Sequence, residues 1–284
     1  MTSPTVRQRR LARELRQLRD HTGLTIEQVA EKLALSASTI SRMETAQVRV
    51  RVLELQALLD VYGVTGTHRE ELLQIARERR QRPWWQEYRE LPNLPLAARE
   101  ADAASILQYS ALLMPGLLQT KAYAGAVLGA IRLDAKAGDI ERRLELRMDR
   151  QALLTSEDPP EYWAVLDEAV LRRAVGGRTI MHEQLQRLID ATELPNVTLQ
   201  VLAFESGAHA GMDGEFTILK YLDPDDPDVV YIENTGGDMY VEKTDVTRRY
   251  NVIFDHLRAT AQNPGDSIRT LRDLQSELYE PEGS

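Results

Sequence analysis

The chain has 284 residues, 43% hydrophobic and 28% charged, with a net charge of −9 and no cysteine. That length suggests about two domains, each large enough to bury its own core. The lack of cysteine excludes disulfides, thiolate zinc sites and cysteine nucleophiles. No apolar run approaches the roughly 20 residues of a membrane span and no signal-peptide core opens the sequence, so a cytoplasmic protein without a membrane partner is expected.

The charge is unevenly spread. Residues 1–82 hold 15 Lys and Arg against 10 Asp and Glu, while residues 83–284 hold 20 against 34. Only the first stretch has the sign that phosphate binding needs. The acidic remainder would repel nucleic acid and limit non-specific contact.

A first helix is expected from Val6 to Asp20, with Leu11, Leu15 and Leu18 inward and Arg9, Arg10, Arg13 and Arg16 on a basic side. Residues 24–44 then read as a helix-turn-helix. Thr25 and Gln28 form a capping box. Ile26, Val29, Ala30 and Leu33 share one helical face. Ala34 and Leu35 make the turn, and Ser36 caps a second helix. That helix would bury Ile40 and Met43 and turn Ala37, Ser38, Thr39 and Arg42 outward. Hydroxyls at a helix start adapt to several bases, and an arginine can bond a guanine edge with two prongs. The competing explanation is an ordinary helical hairpin with a solvated second helix.

Residues 6–65 resemble the phage repressor and Cro type of domain, the XRE family. The pattern is carried by Leu15, Leu18, Arg19, Gly23-Leu24-Thr25, Val29-Ala30, Ser36, Ile40-Ser41-Arg42 and Glu44. The resemblance implies that the helix from Ala37 reads double-stranded operator DNA. It implies that Thr25 and the helix start hold phosphate, in keeping with the anion preference of helix N-termini. It further implies backbone phosphate contacts from Arg49 and Arg51, and an ion pair between Arg19 and Glu44. The turn often carries Gly in the family; here it is Ala34. A positive φ there would cost roughly 1 kcal/mol.

A fourth helix, Val52 to Tyr62, should stop at Gly63. A fifth should run from a cap at Thr67 to Arg82, ended by Pro83. Residues 1–82 are thus expected to form an all-α, five-helix domain, followed by a linker over 83–96. In the linker, Trp84-Trp85 could form a ligand lid or a protein contact, but pinning the chain against a domain is the commoner role.

Residues 97–284 read as an α+β domain, a mixed sheet flanked by helices. Helices are expected over 97–109, up to Ala130 after Pro115-Gly116, and over 136–154, with Ile140, Leu144, Met148 and Ala152 on one core-facing stripe. Strands over 161–166 and 197–202, with helices between, suggest a parallel crossover. Short runs at 216–221, 229–233 and 239–242 should be antiparallel. Helices over 244–261 and 267–279 close the chain.

Trp84-Trp85, Pro115 to Thr120, Tyr123-Ala124, Leu166-Asp167-Glu168, Val175-Gly176-Gly177 and Gln200-Val201-Leu202 resemble a C-terminal domain of unknown function. It is common in actinobacterial regulators, including the WhiJ-like ones. The resemblance implies an antitoxin-like regulator whose second half binds a small protein encoded by a neighbouring gene, or a small-molecule effector.

No complete catalytic set stands out and no cofactor is expected. Asp167, Glu168, Glu215 and Glu233 sit near strand ends, where an acid and base pair could form. Caps and surface charges explain them as well. His209 has no spaced partners that would complete a metal set. Gly176-Gly177-Arg178-Thr179 could hold phosphate at a helix start, but it lacks the Lys and spacing of a phosphate loop, and a turn between helices is the plainer reading. The expectation is a sequence-specific transcriptional regulator, a homodimer because one copy carries modest positive charge. The alternative is an enzyme acting on a nucleotide or small molecule, fused to a DNA-targeting domain.

Overall fold

The computed structural model describes residues 6–48, 50–77, 84–88, 91, 94–132, 137–222, 226–234 and 236–279. The chain forms two compact units: residues 1–87 with 223–226, and residues 88–222 with 227–284. Among the described residues no helix is long and apolar enough to cross a membrane.

The first unit is all helical: α1 (Val6–Thr22), α2 (Ile26–Leu33), α3 (Ala37–Glu44), α4 (Val52–Val61) and α5 (Gly66–Arg77). Leu11, Leu15, Val29, Ala30, Ile40, Met43, Leu55, Leu58, Leu59, Leu72 and Leu73 form one core. Leu15, Val29, Leu55 and Leu59 are wholly buried, as expected for interdigitated core side chains. Gly63, at φ 70°, takes the chain out of α4. α5 begins at Gly66, so Thr67 stands inside its first turn rather than at the expected cap. The basic run Glu78 to Arg82 lies outside the described residues.

The second unit is built on a six-stranded sheet. Its strands are β1 (Ser105–Ser110), β2 (Glu161–Asp167), β3 (Val197–Leu202), β4 (Phe216–Lys220), β5 (Val229–Ile232) and β6 (Met239–Val241). They lie in the order β3-β2-β1-β4-β5-β6. β3, β2 and β1 are parallel, and β4, β5 and β6 continue antiparallel. Helices α6 (Leu94–Glu100), α7 (Lys121–Ile131), α8 (Ala137–Gln151), α9 (Glu168–Arg172), α10 (Arg178–Ala191), α11 (Thr244–Thr260) and α12 (Pro264–Tyr279) complete it.

Alternation along the strands divides two cores. Tyr162, Ala164 and Leu166 of β2 join the larger core with residues of α7, α10 and α12. Val165 joins the smaller one, with Phe254 and Leu257 of α11.

Two expectations fail in this unit. Residues 97–109 are not one helix: α6 ends at Glu100, and Ser105–Ser110 is the central strand. Ala101, Ala104 and the Ile106–Tyr109 spacing favour a helix locally. A strand paired on both sides and covered on both faces shows no clean alternation, and Ile106 and Tyr109 are both buried. The second failure is the face of α8. Its fully buried residues are Leu146 and Arg150. Ile140, Leu144 and Met148 are half-buried and Ala152 is exposed.

The second unit begins at Tyr88, the last residue of a 3-10 turn. Its hydroxyl donates to Asp149, and the Arg142 guanidinium lies 4.2 Å over its ring. Trp85, expected to act as a pin, is half-buried.

Candidate nucleic-acid interface

The turn between α2 and α3 is fixed from both sides. The Thr25 hydroxyl accepts from the Gln28 amide at 3.2 Å, and Gln28 Oε1 accepts from the Thr25 amide at 2.9 Å. This reciprocal cap satisfies two donors at the start of α2. At its end Ala34 is left-handed, φ 53° and ψ 40°. The Leu35 amide then reaches back to the Ala30 carbonyl at 2.9 Å. Ala34 thus does the work usually left to glycine, with its Cβ strained.

Ser36 caps α3. Its Oγ accepts from the Thr39 amide at 3.1 Å and lies 2.8 Å from the Thr39 hydroxyl. Ile40 and Met43 face the core. Ser36, Ser38 and Arg42 are exposed, Thr39 is half-exposed, and Ala37 packs partly on the core. Arg42 Nε donates to the Ser38 carbonyl at 3.3 Å. Its two terminal nitrogens have no partner among the described residues. α3 therefore presents a flat hydroxyl-bearing start and one unspent guanidinium.

The orientation of α3 is set at its far end. Arg19 Nε and Nη2 donate to the two Glu44 carboxylate oxygens at 2.8 and 3.0 Å. Arg19 Nη1 donates to the Leu24 carbonyl at 3.1 Å and meets Asp20 at 2.8 Å. One guanidinium thus ties the end of α1, the entry to α2 and the end of α3. The hydrogen bond to Glu44 raises the Arg19 pKa against the opposing effect of burial. The nearby Tyr62 hydroxyl is pushed well above its usual range, first by burial and then by Glu44.

Thr25 is exposed at the start of α2. Its oxygen accepts in the cap, and its hydroxyl also hydrogen-bonds the neighbouring Glu27 carboxylate. Arg51 is also exposed. Its amide donates to Glu54 Oε2 at 2.9 Å, and its Nε lies 3.8 Å from Glu54 Oε1, a loose contact. Arg49 lies outside the described residues. The sequence reading missed Ala46, a second left-handed alanine, φ 57°, at the exit of α3. There the Gln47 amide bonds the Arg42 carbonyl at 2.8 Å. Alanine carries no signal for that conformation, so nothing local marks it.

Of the carboxylates singled out from the sequence, Glu215 and Glu233 line one cleft, while Asp167 and Glu168 are engaged elsewhere. Asp167 caps α9 by accepting from the Ala169 amide at 2.9 Å, and its other oxygen lies 3.5 Å from His209 Nε2. Glu168 pairs with Arg172 at 2.5 Å and accepts from the Phe204 amide at 2.8 Å. Glu215 accepts from the amides of Ala111 and Leu112, both at 3.3 Å. Gly176 is at φ 71°, and a Cβ there would stand 2.6 Å from Ile180 Cδ1. That glycine serves a tight turn packed on α10. Among the described residues no group of three His, Asp or Glu is arranged to hold a metal ion.

Residues 10–72 match the family model described as a helix-turn-helix domain. Residues 95–273 match the model described as a domain of unknown function, DUF5753. No curated protein and no solved structure matches the chain.

Proposed function

The chain belongs to the family of the domain of unknown function DUF5753 and carries a helix-turn-helix domain ahead of it; from that premise we propose that it is a sequence-specific transcriptional regulator. In this reading the first unit is of the repressor and Cro (XRE) type. α3 lies in the major groove of operator DNA. Ser38 and Thr39 meet base edges or phosphate, and Arg42 reads a guanine. Thr25, Ser36, Ala37, Arg49 and Arg51 sit against the backbone. The observation that carries the reading is the pairing of an unspent Arg42 on the outer face of α3 with the Arg19–Glu44 clamp on its inner end. A helix offered to solvent on one side and held rigidly on the other suits a reader of base edges.

The regulator works in the cytoplasm as a homodimer. Two α3 helices then enter successive major grooves about 34 Å apart on a two-fold operator. The second unit is its non-catalytic half. As in antitoxin-like, WhiJ-like regulators, it takes a small partner protein or a small effector. Asp167 and Glu168 are occupied as a cap and an ion pair, which supports binding over catalysis there.

Selection of binding sites from random duplexes with the full chain, followed by light scattering of the complex, tests this reading. It predicts an enriched two-fold sequence bound by two chains. Absence of any enriched sequence overturns the proposal, and one chain per site overturns the dimer.

A further inference from the structure

A cleft of about 90 Å³ lies in the second unit, lined by α8, α6, β1, β4, β5 and the turn after Pro115. A single water needs only about 10–15 Å³, so the cleft has room for a small molecule.

Its walls carry opposite charges that do not meet. On one side is Arg147, whose Nη1 donates to Gln119 Oε1 at 2.8 Å. No carboxylate pairs with it among the described residues. Its neighbour Arg150 is satisfied, with Nε and Nη2 on the two oxygens of Glu100 at 2.8 and 2.7 Å. Behind them Arg132 and Arg143 line a second hollow of only about 10 Å³. The Nε atoms of both are buried without a hydrogen-bond partner. Arg147 is thus backed by like charges, and across the cleft the Glu233 charge reaches it without an ion-pair contact. Burial, then the charge of Arg150, brings its pKa down to about 10. Arg143 is lowered in the same way, by burial and then by Arg132.

On the opposite side stand Glu215 and, at an exposed position, Glu233. Neither has a basic partner in contact among the described residues. The Tyr231 hydroxyl is buried there, with the Asp238 carboxylate close by and no well-formed hydrogen bond. A simple anion entering the cleft meets two carboxylates. A simple cation meets Arg147. A molecule with both charges a few bonds apart finds a counter-charge at each end, and buried charges are tolerated only when paired.

We propose that this cleft binds a small zwitterion of the amino-acid class, its acidic group on Arg147 and its ammonium group toward Glu215 and Glu233, with the Tyr231 hydroxyl as an added hydrogen-bonding group. The proposal deepens the effector reading above and rests on it for its regulatory meaning, though binding itself does not require DNA.

Isothermal titration of the full chain without DNA tests it, with the twenty standard amino acids offered singly. Each hit is followed by its deaminated acid, its decarboxylated amine and inorganic phosphate. At least one amino acid should bind one per chain, and the singly charged analogues and phosphate at least tenfold more weakly. Glu233→Gln, a replacement at an exposed position, should weaken the hit at least tenfold, and Arg147→Gln should abolish it. No binding by any of the twenty at millimolar concentration overturns the proposal. So does a deaminated acid or phosphate that binds as well as the parent, or a hit unchanged in Glu233→Gln. DNA binding is measured in parallel. A chain that selects an operator but binds no amino acid sinks the cleft assignment alone, and the reverse result sinks the regulator reading alone.

Discussion

Arg19 and Glu44 are 25 residues apart in sequence and meet through two parallel hydrogen bonds of 2.8 and 3.0 Å. Their side chains retain only 12% and 5% of their exposure. Removing one partner of a buried pair leaves the other charge uncompensated, at about 3–5 kcal/mol. Glu44→Ala should therefore destabilise the first unit by about that amount. Arg19→Lys should lose part of it, since an ammonium cannot reproduce the planar fork. Denaturant unfolding followed by far-UV circular dichroism checks both. An unchanged midpoint for Glu44→Ala would show that the clamp contributes nothing to stability.

Ala34 holds a left-handed conformation, φ 53°. Relieving its Cβ is worth about 1–2 kcal/mol, offset by about 0.5–1 kcal/mol of extra unfolded-chain entropy. Ala34→Gly should raise the stability of the first unit by about 0.5–1 kcal/mol. Ala30→Gly, inside α2, should lower it by about 1 kcal/mol. Thermal unfolding of the two variants separates the cases, and a loss of stability in Ala34→Gly would mean the turn is not strained.

Glu215 has its pKa raised above 4.5, chiefly by burial, with the Ala111 and Leu112 amides pulling the other way. A carboxyl raised on folding contributes stability while protonated, below its unfolded value. That contribution is lost as pH rises through its folded value. Glu215→Gln keeps an acceptor for the two amides and removes the ionisation. The variant should be more stable than the parent at pH 7, and the difference should vanish on acidification below about 4.5. A difference independent of pH would place its cause elsewhere.

The helix-turn-helix was legible because its signals are local. Thr25, Gln28 and Ser36 cap where capping residues should, and Val29, Ala30, Ile40 and Met43 keep one helical face. The second sheet half, Phe216 to Val241, was legible from its turns. β1 was not, because its character comes from β2 and β4 on either side, and its own residues fit a helix equally well. The buried face of α8 was also hidden. Hydropathy points to Ile140, Leu144 and Met148, whereas Arg150 is the residue carried inward. Its burial depends on Glu100, 50 positions earlier in the chain. No periodicity records such a partner, and the cleft lined by Arg147 was invisible for the same reason.

The proposed regulator reads base edges through Arg42 of α3. Binding-site selection from random duplexes, run in parallel on the full chain and on Arg42→Ala, tests this most directly. The parent should enrich a two-fold sequence, and the variant should relax preference at one position in each half, a loss of about 1–3 kcal/mol there. An identical profile for the two proteins would contradict it.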